Sequence, residues 1–173
     1  GLSIAFCVPM TSIRKTVKAV FSASKGTGLK SSMVISPQDV LKSNYDIIFV
    51  DESHRLARRK GITSYASFDI ACKKLGLNSM EATQLDMIQK QSKYSVLVYD
   101  ECQTVKASDL TPEQFKRALE WHNDSHEVTL QTQMRCAGGR AYVEYLDSIF
   151  QVNQDDFQKA ENYDFKIWDD PNA

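Results

Sequence analysis

Apolar residues along this chain come in short bursts separated by stretches of helical periodicity. Residues 2–8 are an almost unbroken apolar run closed by Pro9, which predicts a strand buried on both faces of a parallel sheet. Thr11 and Ser12 follow, and either hydroxyl can cap the next segment. There Ile13, Val17, Val20 and Phe21 recur at helical spacing while Arg14, Lys15 and Lys18 face away. Residues 25–29 read as a loop and residues 33–35 as a brief strand. Ser36 then stands as an N-cap with Pro37 at the first helical position, predicting one or two helical turns through Leu41.

Residues 45–50, Tyr-Asp-Ile-Ile-Phe-Val, are the clearest buried strand, and they run straight into Asp51, Glu52, Ser53 and His54. A basic segment, residues 55–60, lies behind. Residues 66–75 and 81–92 predict helices, the second carrying Leu85 and Ile88. An apolar strand at residues 95–99 again ends in acids, Asp100 and Glu101. A helix from Thr111 and Pro112 to about Trp121, a strand around residues 128–130 and a helix over residues 139–150 complete the series. Such alternation predicts an α/β fold, a parallel sheet with helices on both faces. Residues 151–173 are polar until residues 163–168, which alternate like the start of a further strand.

Composition narrows the class. A length of 173 residues suits one domain. The 42% hydrophobic content supplies a core and argues against disorder, a collagen-like repeat or a disulfide miniprotein. With 21 basic and 22 acidic residues the formal charge is −1, so any surface for nucleic acid must be a local patch. No stretch nears the roughly 18 apolar residues of a membrane span, and the apolar opening lacks a basic lead-in and a cleavage site. The chain therefore reads as soluble and cytoplasmic, with no membrane partner. Cys7, Cys72, Cys102 and Cys136 are scattered, without CxxC spacing or paired histidines, and read as reduced thiols rather than a zinc site.

The acids after the strands carry the candidate chemistry, because open α/β sheets bind ligands beyond the carboxyl ends of their strands. Asp51 and Glu52 suit magnesium-dependent nucleotide hydrolysis, in which one carboxylate holds the metal and its neighbour orients and deprotonates the attacking water. Acidic pairs also end strands merely as solvated caps, so the pair gains weight only from its company. Gln103, just past the second acidic strand end, could touch a phosphate or its attacking water. Arg135, after the strand expected near residue 130, could stabilise charge on a γ-phosphate. Arg55, Arg58, Arg59 and Lys60 could contact nucleic-acid phosphates or form a solvated face.

Taken in order, Phe-Cys-Val-Pro-Met-Thr at residues 6–11, Val-Ile-Ser-Pro-Gln-Asp at 34–39, Ile-Phe-Val-Asp-Glu-Ser-His at 48–54, Tyr-Asp-Glu-Cys-Gln at 99–103 and Leu-Gln-Thr-Gln-Met-Arg at 130–135 resemble motifs Ia, Ib, II, III and IV of superfamily 1 helicases. Within that superfamily the chain looks most like the bacterial DNA/RNA-helicase-like family related to Schlafen proteins. That family's Asp-Glu-x-His-Arg-Leu and Arg-x-x-Gly-Gly stretches match residues 51–56 and 135–139. The resemblance implies a RecA-like P-loop NTPase core, ATP and magnesium as cofactors, and single-stranded DNA or RNA as partner. It assigns Asp51 to the magnesium ion, Glu52 to the hydrolytic water, and Gln103 and Arg135 to the γ-phosphate. His54 falls where such enzymes couple nucleotide state to nucleic-acid binding, and Thr11 and Ser36 fall where they touch the strand's phosphates, to which Arg58 is added from the basic run. Motif III departs from the usual Gly-Asp-x-x-Gln by placing Tyr99 where glycine stands.

The phosphate-cradling G-x-x-x-x-G-K-[ST] is absent. Gly26 to Ser31 imitates it, but Leu29 separates glycine from lysine, and the segment follows a helix instead of a strand. By the resemblance, the phosphate loop precedes Leu2, and motifs V and VI follow Ala173. Residues 1–150 are thus expected to be a partial first RecA-like domain truncated at its N-terminus, and residues 151–173 a polar connector with the first strand of a following segment. The missing phosphate-loop strand would leave two sheet edges open, which predicts rearranged pairing or self-association. ATP hydrolysis is expected only of the complete parent. Two other functions stay open: a metal-dependent nuclease sharing Asp51, Glu52, Asp100 and Glu101, and a non-catalytic interaction module of the same fold.

Overall fold

The computed structural model describes residues 1–120 and 124–130, with Gly139, Ala141 and Glu144, and of Cys102 the backbone alone. The chain divides into two compact units, Gly1–Ser125 and His126–Ala173. The first contains the sheet.

Four strands build that sheet: β1 (Ile4–Cys7), β2 (Val34–Ile35), β3 (Tyr45–Val50) and β4 (Ser92–Leu97). Their order is β2-β1-β3-β4 and every pairing is parallel. Cys7 stands opposite both Ile35 and Val50, and Val50 stands opposite Leu97. Among the described residues four α-helices can be given bounds: α1 (Thr11–Ala23), α2 (Tyr65–Leu75), α3 (Gln84–Gln91) and α4 (Pro112–Glu120). The α/β fold with an all-parallel sheet is the architecture expected, and it is consistent with a RecA-like core.

Successive strand residues point to opposite faces, so the burial pattern separates the two sides of the sheet. Ala5, Cys7, Ile48 and Val50 are sealed into one core with Cys72 of α2 and Leu85 and Ile88 of α3. Phe6, on the opposite face, meets Phe21 of α1 with ring centroids 5.8 Å apart. No residue of α1 is buried, so the described residues cover this second face thinly, and Phe49, Tyr94, Val96 and Val98 stand exposed. Burial pushes the Cys7 thiol up to about 12 against the lowering influence of Arg14, so this cysteine stays protonated.

Local chemistry sets the helix ends, at times differently from the expectation. Neither Thr11 nor Ser12 caps α1; the cap position is Met10, with no side-chain bond. Arg14 takes over that end, its guanidinium donating to the Val8 carbonyl at 2.9 Å and to the Thr11 hydroxyl at 3.2 Å. Helix α2 ends on Gly76 at φ +66°, a left-handed C-cap that disfavours any side chain. Helix α3 starts at Gln84, three residues later than expected, because Thr83 and Asp86 close a reciprocal capping box there.

Ser36 does cap the short 3-10 helix Pro37–Lys42, as its sequence predicts, in a capping box with Asp39. Burial opposes ionisation of Asp39 but is outweighed by hydrogen bonds from Lys42 and Ser36, which hold its carboxyl at about 2. Because the folded value lies below the unfolded one, the box stabilises the fold above about pH 4. That contribution is lost as pH falls through about 2. Asp39→Asn should therefore flatten part of the acid limb of a stability-against-pH curve. An acid limb identical to that of the wild type would overturn this account.

Strand β4 starts three residues and ends two residues earlier than the apolar run at 95–99 suggests. Ser92 to Leu97 carry the ladder to β3. The Val98 carbonyl instead accepts from the Ser53 hydroxyl and backbone N–H, both at 2.8 Å. As one of the two outer strands described, β4 tolerates Ser92, Lys93 and Ser95, since among the described residues it pairs only with β3. The strand expected at 128–130 is absent: these residues form no regular element, and Val128 and Leu130 are 80% and 83% exposed. A Val-Thr-Leu alternation makes a strand only where a neighbouring backbone pairs with it. The helix expected at 139–150, the boundary at 150, the strand start at 163–168, Trp121 and Cys136 lie outside the described residues or largely so. No helix among the described residues is long and apolar enough to cross a membrane.

Candidate functional site

Because all four strands run parallel, their carboxyl ends share one edge of the sheet. Along it follow Thr11 beyond β1, Ser36 beyond β2, Asp51 and Glu52 beyond β3, and Gln103 beyond β4. Motif residues 92 positions apart in sequence are thereby gathered on the edge where parallel sheets hold ligands.

Asp51 extends the ladder, its N–H donating to the Cys7 carbonyl at 3.1 Å, while its half-buried carboxylate makes no hydrogen bond or ion pair with the described residues. Glu52 then leaves the strand direction abruptly. At φ 52° and ψ 47° it is the only non-glycine residue at positive φ among the described residues. That conformation costs roughly 1 kcal/mol or more for a residue with a Cβ and persists only where surrounding bonds enforce it. Those bonds are visible. Ser53 is stitched to Val98, Leu110 N–H donates to the His54 carbonyl at 3.3 Å, and Arg55 binds Asp109 at 2.9 Å. Ala57 exchanges backbone and side-chain bonds with Gln84, each at 2.8 Å.

The turn aims Glu52 at His54, whose Nε2 lies 3.0 Å from Oε2. The imidazole is 1% exposed, and neither Nδ1 nor Nε2 makes a directed hydrogen bond, so the Glu52 contact is close but poorly aligned. Beside the imidazole stands Tyr99, edge-on at 6.3 Å and itself stacked on Phe115 at 3.8 Å. Burial raises the Tyr99 phenol above its usual value.

The other candidates are held differently. Gln103 is exposed and donates to the Asp100 carboxylate at 2.6 Å. Ser36 commits its hydroxyl and N–H to Asp39, and Thr11 is exposed with its hydroxyl turned to Arg14. The basic run is largely absorbed into the fold. Arg58 donates to the Ala107 carbonyl at 3.0 Å, and Arg59 forks onto Asp69 at 2.7 and 2.9 Å while lying over the Tyr65 ring. Arg135 lies outside the described residues. The four-acid cluster expected for a nuclease does not form: no three potential ligands converge on a metal position among the described residues. The left-handed turn sends Glu52 to His54, and Asp100 is engaged by Gln103.

Sequence reasoning missed Asp109. Its buried carboxylate accepts from Arg55 and from the N–H groups of Val105 and Lys106, at 3.3 and 3.0 Å, and so ties the loop after β3 to the segment before α4. A lone acid beside Ser108 carries no periodic signal. Tyr99 did carry one, as the departure from glycine in motif III.

Residues 9–173 match the family model described as the Schlafen group 3 DNA/RNA helicase domain, and the chain belongs to that family. No curated protein and no solved structure gives a significant match.

Proposed function

We propose that this helicase-like domain works in Mg-ATP hydrolysis coupled to remodelling of, or movement along, single-stranded DNA or RNA. The observation that carries the reading is the Asp51–Glu52 pair: adjacent carboxylates at the carboxyl end of a central parallel strand, one unengaged and the other locked in a left-handed turn. Magnesium keeps most of its coordination as water and phosphate oxygens and needs only one or two protein carboxylates. Asp51 fits that demand. The ion, when bound, would neutralise charge on the phosphates. Residues 1–173 contain no G-x-x-x-x-G-K-[ST], so in this reading the phosphate cradle lies outside them.

Glu52 orients the attacking water and takes its proton as the new bond to the γ-phosphorus forms and the bond to the bridging oxygen breaks. Gln103 reaches the γ-phosphate by exchanging its bond to Asp100, and Arg135 adds positive charge there. His54 links Glu52 to the nucleic-acid side, and Thr11 and Arg58 contact the strand's phosphates, Arg58 through the guanidinium N–H groups that its Nε bond to Ala107 leaves over. Ser36 belongs to the same edge, with its hydroxyl held in the cap.

ATP hydrolysis by the full-length protein, measured with and without single-stranded DNA and RNA, tests the reading. Turnover stimulated by one polymer is expected; no turnover under any of these conditions would favour a non-catalytic module. The 173-residue chain alone should bind Mg-ATP only weakly and hydrolyse none, because it lacks the cradle. Micromolar binding to it by isothermal titration would mean that the phosphate site is misassigned.

A further inference from the structure

Tyr99 is the clearest departure from the resembled motif pattern, and the structure gives its ring a specific neighbourhood. It is stacked on Phe115 with ring planes 12° apart and meets His54 edge-on at 69°. An imidazole whose side chain is 2% exposed and whose one polar contact, to Glu52, is poorly aligned is not oriented by hydrogen bonds, and packing must fix it. The Tyr99 hydroxyl makes no directed hydrogen bond, and its polar neighbour, the Thr104 hydroxyl, is too poorly aligned to hold it, so the phenol serves chiefly as a ring. Its backbone is fixed through Val98, whose carbonyl takes both Ser53 bonds. A glycine at position 99 would leave the space between Phe115 and His54 unfilled, and the imidazole would lose this ring contact.

We infer that Tyr99, braced by Phe115, is a positioning residue that holds the His54 imidazole against the Glu52 carboxylate, a role that rests on the reading of Glu52 as the water-activating base. The left-handed turn at Glu52 gives the carboxylate one approach, and the Tyr99–His54 stack sets its end point. Motif III thereby acts on motif II through packed rings.

The test pairs Tyr99→Leu with Tyr99→Phe. In the 173-residue chain, the side-chain nitrogen signals of His54 should shift in Tyr99→Leu and in Glu52→Gln, and stay near their wild-type positions in Tyr99→Phe. In the full-length protein, Tyr99→Leu should lower kcat about tenfold or more with KM for ATP nearly unchanged, since a misplaced base affects the chemical step and not ground-state binding. Tyr99→Phe should restore kcat. His54 signals indifferent to Tyr99→Leu overturn the inference, whatever the turnover. A Tyr99→Leu enzyme with normal kcat overturns it too, provided Glu52→Gln is inactive. If Glu52→Gln is itself active, the reading of Glu52 as base fails, and the His54 signals alone decide whether Tyr99 positions the imidazole. Should Tyr99→Leu not fold, Phe115→Leu removes the brace behind Tyr99 and carries the same comparison.

Discussion

Glu52→Gln is expected, on the proposed reading of Glu52 as general base, to abolish ATP turnover in the protein that carries the phosphate cradle, while leaving nucleotide binding close to that of the wild type. The amide matches the carboxylate in size and can occupy the same turn at φ 52°. What it loses is the ability to accept a proton, and general-base catalysis is typically worth 10²- to 10⁴-fold in rate. The loss should appear in kcat, with KM little changed, because in the proposed function the group acts where the water is deprotonated and not where the nucleotide is held. Stability should barely move, since the contact to His54 is poorly aligned and the bonds enforcing the turn belong to Ser53, Arg55 and Ala57. Asp51→Asn offers the contrast: weakened metal binding should make its defect depend on magnesium concentration, whereas the Glu52→Gln defect should persist at any magnesium level. Undiminished turnover in Glu52→Gln would remove Glu52 from the chemistry and leave the acidic pair as a solvated cap.

How far the sequence revealed this arrangement depended on the range of the interactions involved. Strand β3 was legible because six mostly apolar residues bounded by polar ones admit few other structures, and Asp51 and Glu52 could be placed by counting from its end. The N-cap at Ser36 was legible because its signal, a serine followed by Pro37, is local, although the capping box it closes with Asp39 was not foreseen. Strand β4 was misplaced because its limits follow from hydrogen bonds to Tyr45 through Val50, and an outer strand does not need a fully apolar sequence. The basic run stayed ambiguous for the same reason. Arg59 finds Asp69 ten residues away, but Arg55 finds Asp109 54 residues away, and nothing local announces either carboxylate. The left-handed turn at Glu52 was invisible for a further reason: glutamate has no preference for that conformation, which surrounding bonds impose. Residue types at the site were thus readable from spacing, while their orientation was decided by contacts that only the fold creates.

Asp109→Ala follows from that long-range contact and should be among the most damaging single substitutions in the first unit. The carboxylate is 2% exposed and accepts three bonds, one from the Arg55 guanidinium and two from backbone N–H groups. Truncation leaves a largely buried guanidinium without its partner and two N–H groups without acceptors. Breaking a buried pair on one side typically costs about 3–5 kcal/mol, mainly through the charge left behind, and each unsatisfied buried donor adds to it. Arg55 retains some access to water, with its side chain 20% exposed, so the lower end of that range, about 3 kcal/mol, is expected. Urea denaturation followed by circular dichroism would read the loss, and a change below about 1 kcal/mol would place this pair with ordinary surface salt bridges. Asp109→Asn should be milder, because its amide oxygen still accepts the two backbone bonds. Arg55→Met combined with Asp109→Ala should recover part of the loss, since no unpaired cation remains. The damage should also reach the site, because Asp109 adjoins Leu110, whose N–H holds the His54 carbonyl. The His54 ring signals of Asp109→Asn, measured well below its melting temperature, should therefore broaden or shift even though residue 109 touches neither His54 nor Glu52 through its side chain in any hydrogen bond or ion pair described for it.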